Sequence, residues 1–318
     1  SKQIEASSMQ VGDMMAYMQY AMQIIMAFLM IAVMFIMVPR ASVAGDRIAE
    51  VLETKPSIRD PESPVSLTAP VRGEVAFHDV SFRYPNAEEN VLEHLSFTAK
   101  PGETTAFIGS TGAGKSTLVQ LILRFYDVTD GSITLDGVDI RELTQKELRA
   151  QIGFVPQKGL LFSGDIASNI RYGNDLATDE EVRRAAQTAQ ALEFIDAFPK
   201  GMETGIAQGG TNVSGGQKQR LSIARALAKK APVYIFDDSF SALDFKTDAA
   251  LRRALAKDTA GAAVLIVAQR VSTIMHAQQI VVLDQGKIMG VGTHKELLKT
   301  CPTYREIAES QLSEEELQ

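Results

Sequence analysis

The sequence predicts an α/β domain with a largely parallel sheet, preceded by a membrane-spanning α-helix. Three observations predict it. Residues 14–39 carry no charged side chain. From residue 71 onward short apolar strands alternate with amphipathic helices. A glycine-rich stretch stands at one strand-to-helix junction. The 318 residues leave room for about two domains. One cysteine, Cys301, rules out a disulfide framework and a multi-cysteine zinc site, and four scattered histidines add no metal cluster. Lys+Arg 32 against Asp+Glu 39 gives net −7, the wrong sign for holding a phosphate backbone, so nucleic acid is not expected as a partner. The first residue is Ser, and no basic segment with an apolar stretch and a small-residue cleavage site opens the chain, so a fragment or processed product is expected.

The uncharged run lies between Asp13 and Arg40. Its 26 residues would extend about 39 Å as a helix, against a hydrocarbon core of about 30 Å. The nine Ile, Leu, Val and Phe residues in 24–38 favour insertion by about 3 to 5 kcal/mol, whereas one central charge would cost about 3. Arg40 and Arg47 place the following segment in the cytoplasm. Met14, Met18, Met22, Met26, Met30 and Met34 advance about 40° per step and spiral around the helix, so they cannot all face one ligand. Packing against lipid and neighbouring helices is expected of them. Gln19, Tyr20 and Gln23 form a polar face expected to point at other helices or a water-filled path.

Residues 41–55 are charged and helix-prone, and Pro56, Pro61, Pro64 and Pro70 then read as a linker. The expected division is 1–55 as the end of a membrane domain, 56–72 as linker and 73–318 as the α/β domain. Strands are expected at 105–108, 233–236, 263–267 and 280–283, and a helix at 115–124. The acidic end, 310–318, reads as a solvated helix end or frayed tail.

Gly109-Ser110-Thr111-Gly112-Ala113-Gly114-Lys115-Ser116 matches GxxxxGK[ST] between an expected strand and helix. Glycines let backbone amides close around phosphate oxygens, and the helix N-terminus adds favourable partial charge. Lys115 reaches the terminal phosphates and the Ser116 hydroxyl serves Mg²⁺. Val233-Tyr-Ile-Phe-Asp237 is an apolar run ending in acid, suited to a central strand that brings Asp237 towards the metal. Further along, Ser214-Gly215-Gly216-Gln217 puts a hydroxyl and two glycine amides at the start of another helix, a second phosphate site. One nucleotide has no obvious need of both.

At these residues the sequence resembles the ATP-binding-cassette superfamily, whose LSGGQ signature appears as Val213-Ser214-Gly215-Gly216-Gln217. The resemblance covers about residues 11–311 and implies a P-loop NTPase of the ABC type with a helical signature subdomain. It implies a head-to-tail dimer in which each ATP lies between one domain's cradle, Thr117 included, and the other's signature. Tyr84 matches the aromatic that stacks on adenine; alone it reads as a core or turn tyrosine. Gln157 matches the glutamine that contacts Mg²⁺ and senses the membrane domain; alone it reads as a surface glutamine. Ser241-Ala-Leu-Asp244 matches a loop that reaches across the dimer, and by itself can be a helix cap. The span followed by the cassette is similar to the last membrane helix of an exporter half-transporter in the cell membrane, with five further spans implied upstream.

Two positions depart from the pattern. Asp238 stands where the family carries its glutamate base, and Gln269 where it carries a switch histidine. A carboxylate one methylene short sits farther from the attacking water, and glutamine cannot take up a proton as imidazole can. Slow hydrolysis at this cradle is therefore expected, with the signature intact except for Val213. That asymmetry resembles the degenerate-site subunit of heterodimeric bacterial multidrug exporters, and implies a different half-transporter as partner, lipid around the span, and a drug, lipid or peptide as cargo. The alternatives are a soluble cassette ATPase, which the uncharged span argues against, and a nucleotide-gated regulator without transport.

Overall fold

The computed structural model describes residues 10–313. The chain divides into two compact units, Ser1–Ser57 and Ile58–Gln318. In the first, α1 (Val11–Glu53) is a single helix of 43 residues, about 65 Å at 1.5 Å per residue. Gln10 and Asp13 cap its start, the Gln10 amide donating to Asp13 Oδ2 at 3.1 Å. The helix is long and apolar enough to cross a membrane. It continues through Pro39, so the charged segment expected after the span prolongs the same helix.

The second unit opens with β1 (Val75–Phe82), β2 (Leu92–Ala99), β3 (Thr104–Gly109) and α2 (Lys115–Ile122). There follow β4 (Asp130–Leu135), β5 (Val138–Asp139), α3 (Gln145–Ala150) and β6 (Ile152–Val155). A mostly helical stretch comes next: β7 (Gly164–Asp165), α4 (Ile166–Arg171), α5 (Asp179–Thr188), α6 (Leu192–Ala197), β8 (Gly205–Ile206) and α7 (Gly215–Ala228). The chain then returns through β9 (Val233–Asp237), α8 (Phe245–Asp258), β10 (Ala263–Val267), α9 (Val271–Ile274), β11 (Gln279–Asp284) and β12 (Lys287–Gly292). Two helices, α10 (His294–Thr300) and α11 (Pro302–Glu309), close it.

The main sheet has order β12-β11-β3-β10-β9-β6. The five strands β11, β3, β10, β9 and β6 pair in parallel, β6 forming one edge, and β12 is the antiparallel strand at the other. A parallel sheet is covered on both faces, which is why these strands read as continuous apolar runs. Alternate side chains go to opposite cores: Tyr234 and Phe236 pack with the helices, whereas Val233 and Ile235 face the antiparallel sheet β2-β1-β4-β5. Between the two sheets, Phe97 stacks on Phe77 with ring centres 4.5 Å apart and meets Phe107 edge-on at 5.3 Å.

One expectation is adjusted. The helix expected over 115–124 stops at Ile122, because Arg124 takes a left-handed φ of 51° and turns its guanidinium inward. Only 3% exposed, it donates to Asp127 and to the carbonyls of Leu143 and Arg59. The stretch expected as a linker is hydrogen-bonded to the second unit along part of its length: the Val65 amide donates to Glu142 O and the Leu67 amide to Glu147 Oε1. Of the acidic end, 314–318 lie outside the described residues.

Candidate functional site

The C-terminal ends of β3, β9 and β10 meet at one edge of the main sheet, the side on which open α/β sheets bind ligands. β3 runs into the 109–116 loop, which opens directly onto α2. Gly109 pairs with Leu283 across the sheet, and a Cβ there would stand 1.9 Å from the Leu283 carbonyl oxygen. Gly114, at φ +94°, caps α2 where a Cβ would meet Leu92 Cδ2 at 2.4 Å. Gly112 is also left-handed, at +87°, but faces open space. Ser110 Oγ ties the loop to β11 by donating to Asp284 Oδ1 at 2.8 Å.

The Lys115 ammonium curls over the same loop, donating to Gly109 O at 2.8 Å and Ser110 O at 2.7 Å. Burial pushes it below the ordinary lysine range, against the pull of Asp238 and Asp237. Ser116 Oγ donates to Asp237 Oδ1 at 3.3 Å, which joins the cradle to the end of β9. Burial pushes the Asp237 carboxyl up, the Ser116 hydrogen bond opposes the shift, and neighbouring Asp238 adds to it. Two adjacent acids, 9% and 8% exposed, therefore stand beside a hydroxyl and a single ammonium. That donor set suits a divalent cation coordinated by oxygen.

Asp238 holds a left-handed φ of 45°, and its amide donates to Val267 O at 2.9 Å. Its Oδ2 accepts two side-chain amides, Gln269 Nε2 at 2.7 Å and Gln157 Nε2 at 3.2 Å. The loop carrying Gln157 is itself held by Gln219 of α7, which accepts from the Gly159 amide at 3.0 Å and donates to Pro156 O at 3.1 Å. A cleft of about 700 Å³ is lined by the cradle, Gln157, Gln269, Asp284 and one side of α11. Asp284 and the α11 residues escaped the sequence reading, since only the sheet order brings them to the cradle.

Tyr84 packs beside α2, its hydroxyl sharing a hydrogen with Thr117 Oγ1 at 2.9 Å. Its ring stands edge-on to Phe82 and Tyr126, and it does not line the cleft. The Ser214-Gly215-Gly216-Gln217 segment also lies outside the cleft lining. Ser214 Oγ accepts from the Gln217 amide at 3.3 Å and Gln217 Oε1 accepts from the Ser214 amide at 2.9 Å, a reciprocal cap at the start of α7. Ser214 and Gly215 are exposed, and a Cβ on Gly215 would meet nothing within 4 Å. Val213 is buried in the core, so its departure from leucine changes packing and not the exposed face. Asp244 caps α8 by accepting from the Thr247 amide at 3.0 Å, which holds its carboxyl below the usual carboxylate range.

Comparison with known proteins bears on this framework. The family model described as ABC transporter matches residues 92–241. An uncharacterized ABC transporter ATP-binding protein of Mycobacterium tuberculosis is 47% identical over 97% of this chain and 53% of its own length. The ATP-dependent lipid A-core flippase of Desulfotalea psychrophila is 44% identical over 82% of this chain and 45% of its own. A solved structure of a bacterial Atm1-family ABC exporter with ATP bound matches at TM-score 0.86 and 34% identity, over 96% of this chain and 53% of that one. The chain thus spans about half the length of the curated relatives it matches. A glycine cradle alone is shared by many nucleotide-binding families. Here the match runs on through the capped helix to the paired acids, and the chain carries an ABC transporter ATP-binding domain.

Proposed function

We propose that this chain is the nucleotide-binding part of an ATP-driven exporter subunit in the cell membrane. Residues 1–55 end its membrane domain, 56–72 are a linker and 73–318 form the nucleotide-binding domain. The cradle of residues 109–117 holds ATP, Lys115 meets the terminal phosphates, and Ser116, Gln157 and Asp237 serve the magnesium. When bound, magnesium neutralises charge on the phosphates. Tyr84 is the aromatic for adenine. Ser214 to Gln217, with Asp244, complete the corresponding site of a second half-transporter, and closing of the two domains switches the membrane halves between inward-facing and outward-facing states.

The observation that carries this reading is the exposed, capped start of α7, which stands outside the cleft of its own chain and has room beside Gly215 for a phosphate. One chain therefore presents two halves of two different sites. We further propose that hydrolysis in this chain's cradle is slow and that its partner is a different half-transporter. The shortened carboxylate of Asp238 supports this, because two neutral amides already occupy its Oδ2. The cargo class is drug, lipid or peptide. Vanadate trapping of nucleotide, with the chain alone and with its partner, tests the reading. Trapping by the pair should disappear with Ser214→Ala, and robust turnover by the chain alone would refute the division of labour.

A further inference from the structure

We infer that Gln311 is a positioning residue for hydrolysis, holding from the C-terminal side the loop that aims Gln269 at Asp238. The inference rests on the ATPase reading above. Gln311 follows α11, and both ends of its side-chain amide grip the segment between β10 and α9. Its Oε1 accepts from the Val271 amide at 2.9 Å and its Nε2 donates to the Gln269 carbonyl at 2.9 Å. The two contacts flank Arg270. Residues 268–270 belong to neither strand nor helix, so their backbone must find hydrogen bonds outside regular structure. Val271 is fully buried and starts α9, where the helix offers its first amides no partner of its own. Gln311 supplies one.

The grip has a firm base. Tyr304 and Ala308 of α11 are fully buried, and the Tyr304 hydroxyl shares a hydrogen with His294 Nδ1 at 2.7 Å. Glu306 and Ile307 of this helix, with Ser310 and Gln311 just beyond it, line the same cleft as Gln269. A chain of contacts thus runs from the buried face of α11 through Gln311 to the Gln269 backbone, and from the Gln269 side chain to Asp238 Oδ2. Gln269 and Gln311 both border the cleft, but the Lys115 ammonium is held by the carbonyls of its own loop, so loosening residues 268–271 should leave the cradle in place while the acid loses its shorter amide contact.

The test uses Gln311→Ala and Gln311→Glu in the intact protein, reconstituted in lipid. Hydrogen exchange at the Val271 amide reads the grip, and the Lys115-dependent part of ATP hydrolysis, taken against a Lys115→Ala control, reads its consequence. Gln311→Ala should speed Val271 exchange about tenfold or more. It should change kcat about three- to tenfold while the KM for ATP stays within about twofold. Gln311→Glu keeps the acceptor for Val271 but sets a carboxylate against the Gln269 carbonyl, so exchange changes little and kcat still shifts. In a Gln269→Ala background Gln311→Ala should add nothing further, because the two act in series. Unchanged Val271 exchange in Gln311→Ala would overturn the inference. So would an unchanged kcat, a change in KM alone, or additive effects in the double variant. A wild-type protein without Lys115-dependent hydrolysis overturns the ATPase reading itself, and the exchange measurement keeps that failure apart from a failure of the grip.

Discussion

Gln269 Nε2 donates to Asp238 Oδ2 at 2.7 Å, the shorter of two amide contacts on that oxygen. Both donors, Gln269 and Gln157, line the phosphate cleft, and Asp238 does not. The two glutamines that hold the acid thus also border the space a triphosphate would fill. An amide can orient a carboxylate but cannot exchange a proton with it. Asp238 and Gln269 form one contact, so their effects on chemistry should be coupled.

Replacing both, Asp238→Glu with Gln269→His, should raise Lys115-dependent hydrolysis by about tenfold or more, since a misplacement near 1 Å can cost about a hundredfold. The backbone sets a limit on this gain. Asp238 sits at φ 45°, which aspartate tolerates better than glutamate, so the exchange should cost about 1 kcal/mol and lower Tm by about 2–4 °C. Steady-state phosphate release and a thermal scan on the same sample check both parts. A stable variant with an unchanged rate would show that side-chain reach is not what limits this site.

How much of this was legible in the sequence depended on how local each feature is. Residues 109–116 are contiguous and their glycines answer to backbone geometry within the loop, so the cradle could be read directly. Asp237 could be read because a buried parallel strand writes an apolar run that stops at the acid. The Gln311 contacts join residues 40 and 42 positions apart, and no periodicity records them. The inward turn of Arg124 was hidden for a similar reason: its acceptors include Arg59, 65 positions away, and the helical pattern runs smoothly past the residue. The proline-rich stretch reads as a linker because prolines exclude helix; the docking of its amides onto Glu142 and Glu147 depends on tertiary partners.

The raised Asp237 carboxyl predicts a trade between stability and function. Its folded-state pKa lies above the ordinary value of 3.8, so the folded protein binds this proton more tightly than the unfolded chain does. The linked stability is complete below pH 3.8 and is lost as pH rises through the raised value. At neutral pH the ionised acid is a net cost, which Asp237→Asn removes while keeping an acceptor for Ser116. Without nucleotide the variant should melt higher than wild type at pH 7, and the difference should shrink towards pH 4. Magnesium-dependent hydrolysis should be lost. A variant less stable than wild type at pH 7 would contradict the assignment of burial as the dominant cause.

The two cradle glycines with contrasting surroundings should separate folding from binding. A Cβ at Gly109 would overlap the Leu283 carbonyl at 1.9 Å, inside the pairing of β3 with β11. Gly109→Ala should therefore cost about 3 kcal/mol or more, or prevent accumulation of folded protein. Gly112 has open space, so Gly112→Ala meets only the strain of its left-handed backbone, about 1–2 kcal/mol. That variant should fold and bind a fluorescent ATP analogue more weakly. Equal loss of stability in the two variants would show that backbone conformation outweighs the strand contact.

The start of α7 offers the cleanest separation of cap from phosphate contact. Ser214→Ala removes the oxygen that accepts from the Gln217 amide, and should cost about 1 kcal/mol while abolishing trapping in the partner's site. Loss of trapping in that variant alone could reflect a frayed helix. Ser214→Asp keeps the cap, since aspartate caps as well as serine and its charge favours the helix N-terminus. Its carboxylate would nevertheless repel a γ-phosphate brought to the same amides. Stability within about 0.5 kcal/mol of wild type, with trapping lost, is the expected result for Ser214→Asp. Retained trapping in that variant would mean that no phosphate approaches this helix end, and the composite site would then have to be built elsewhere on the surface.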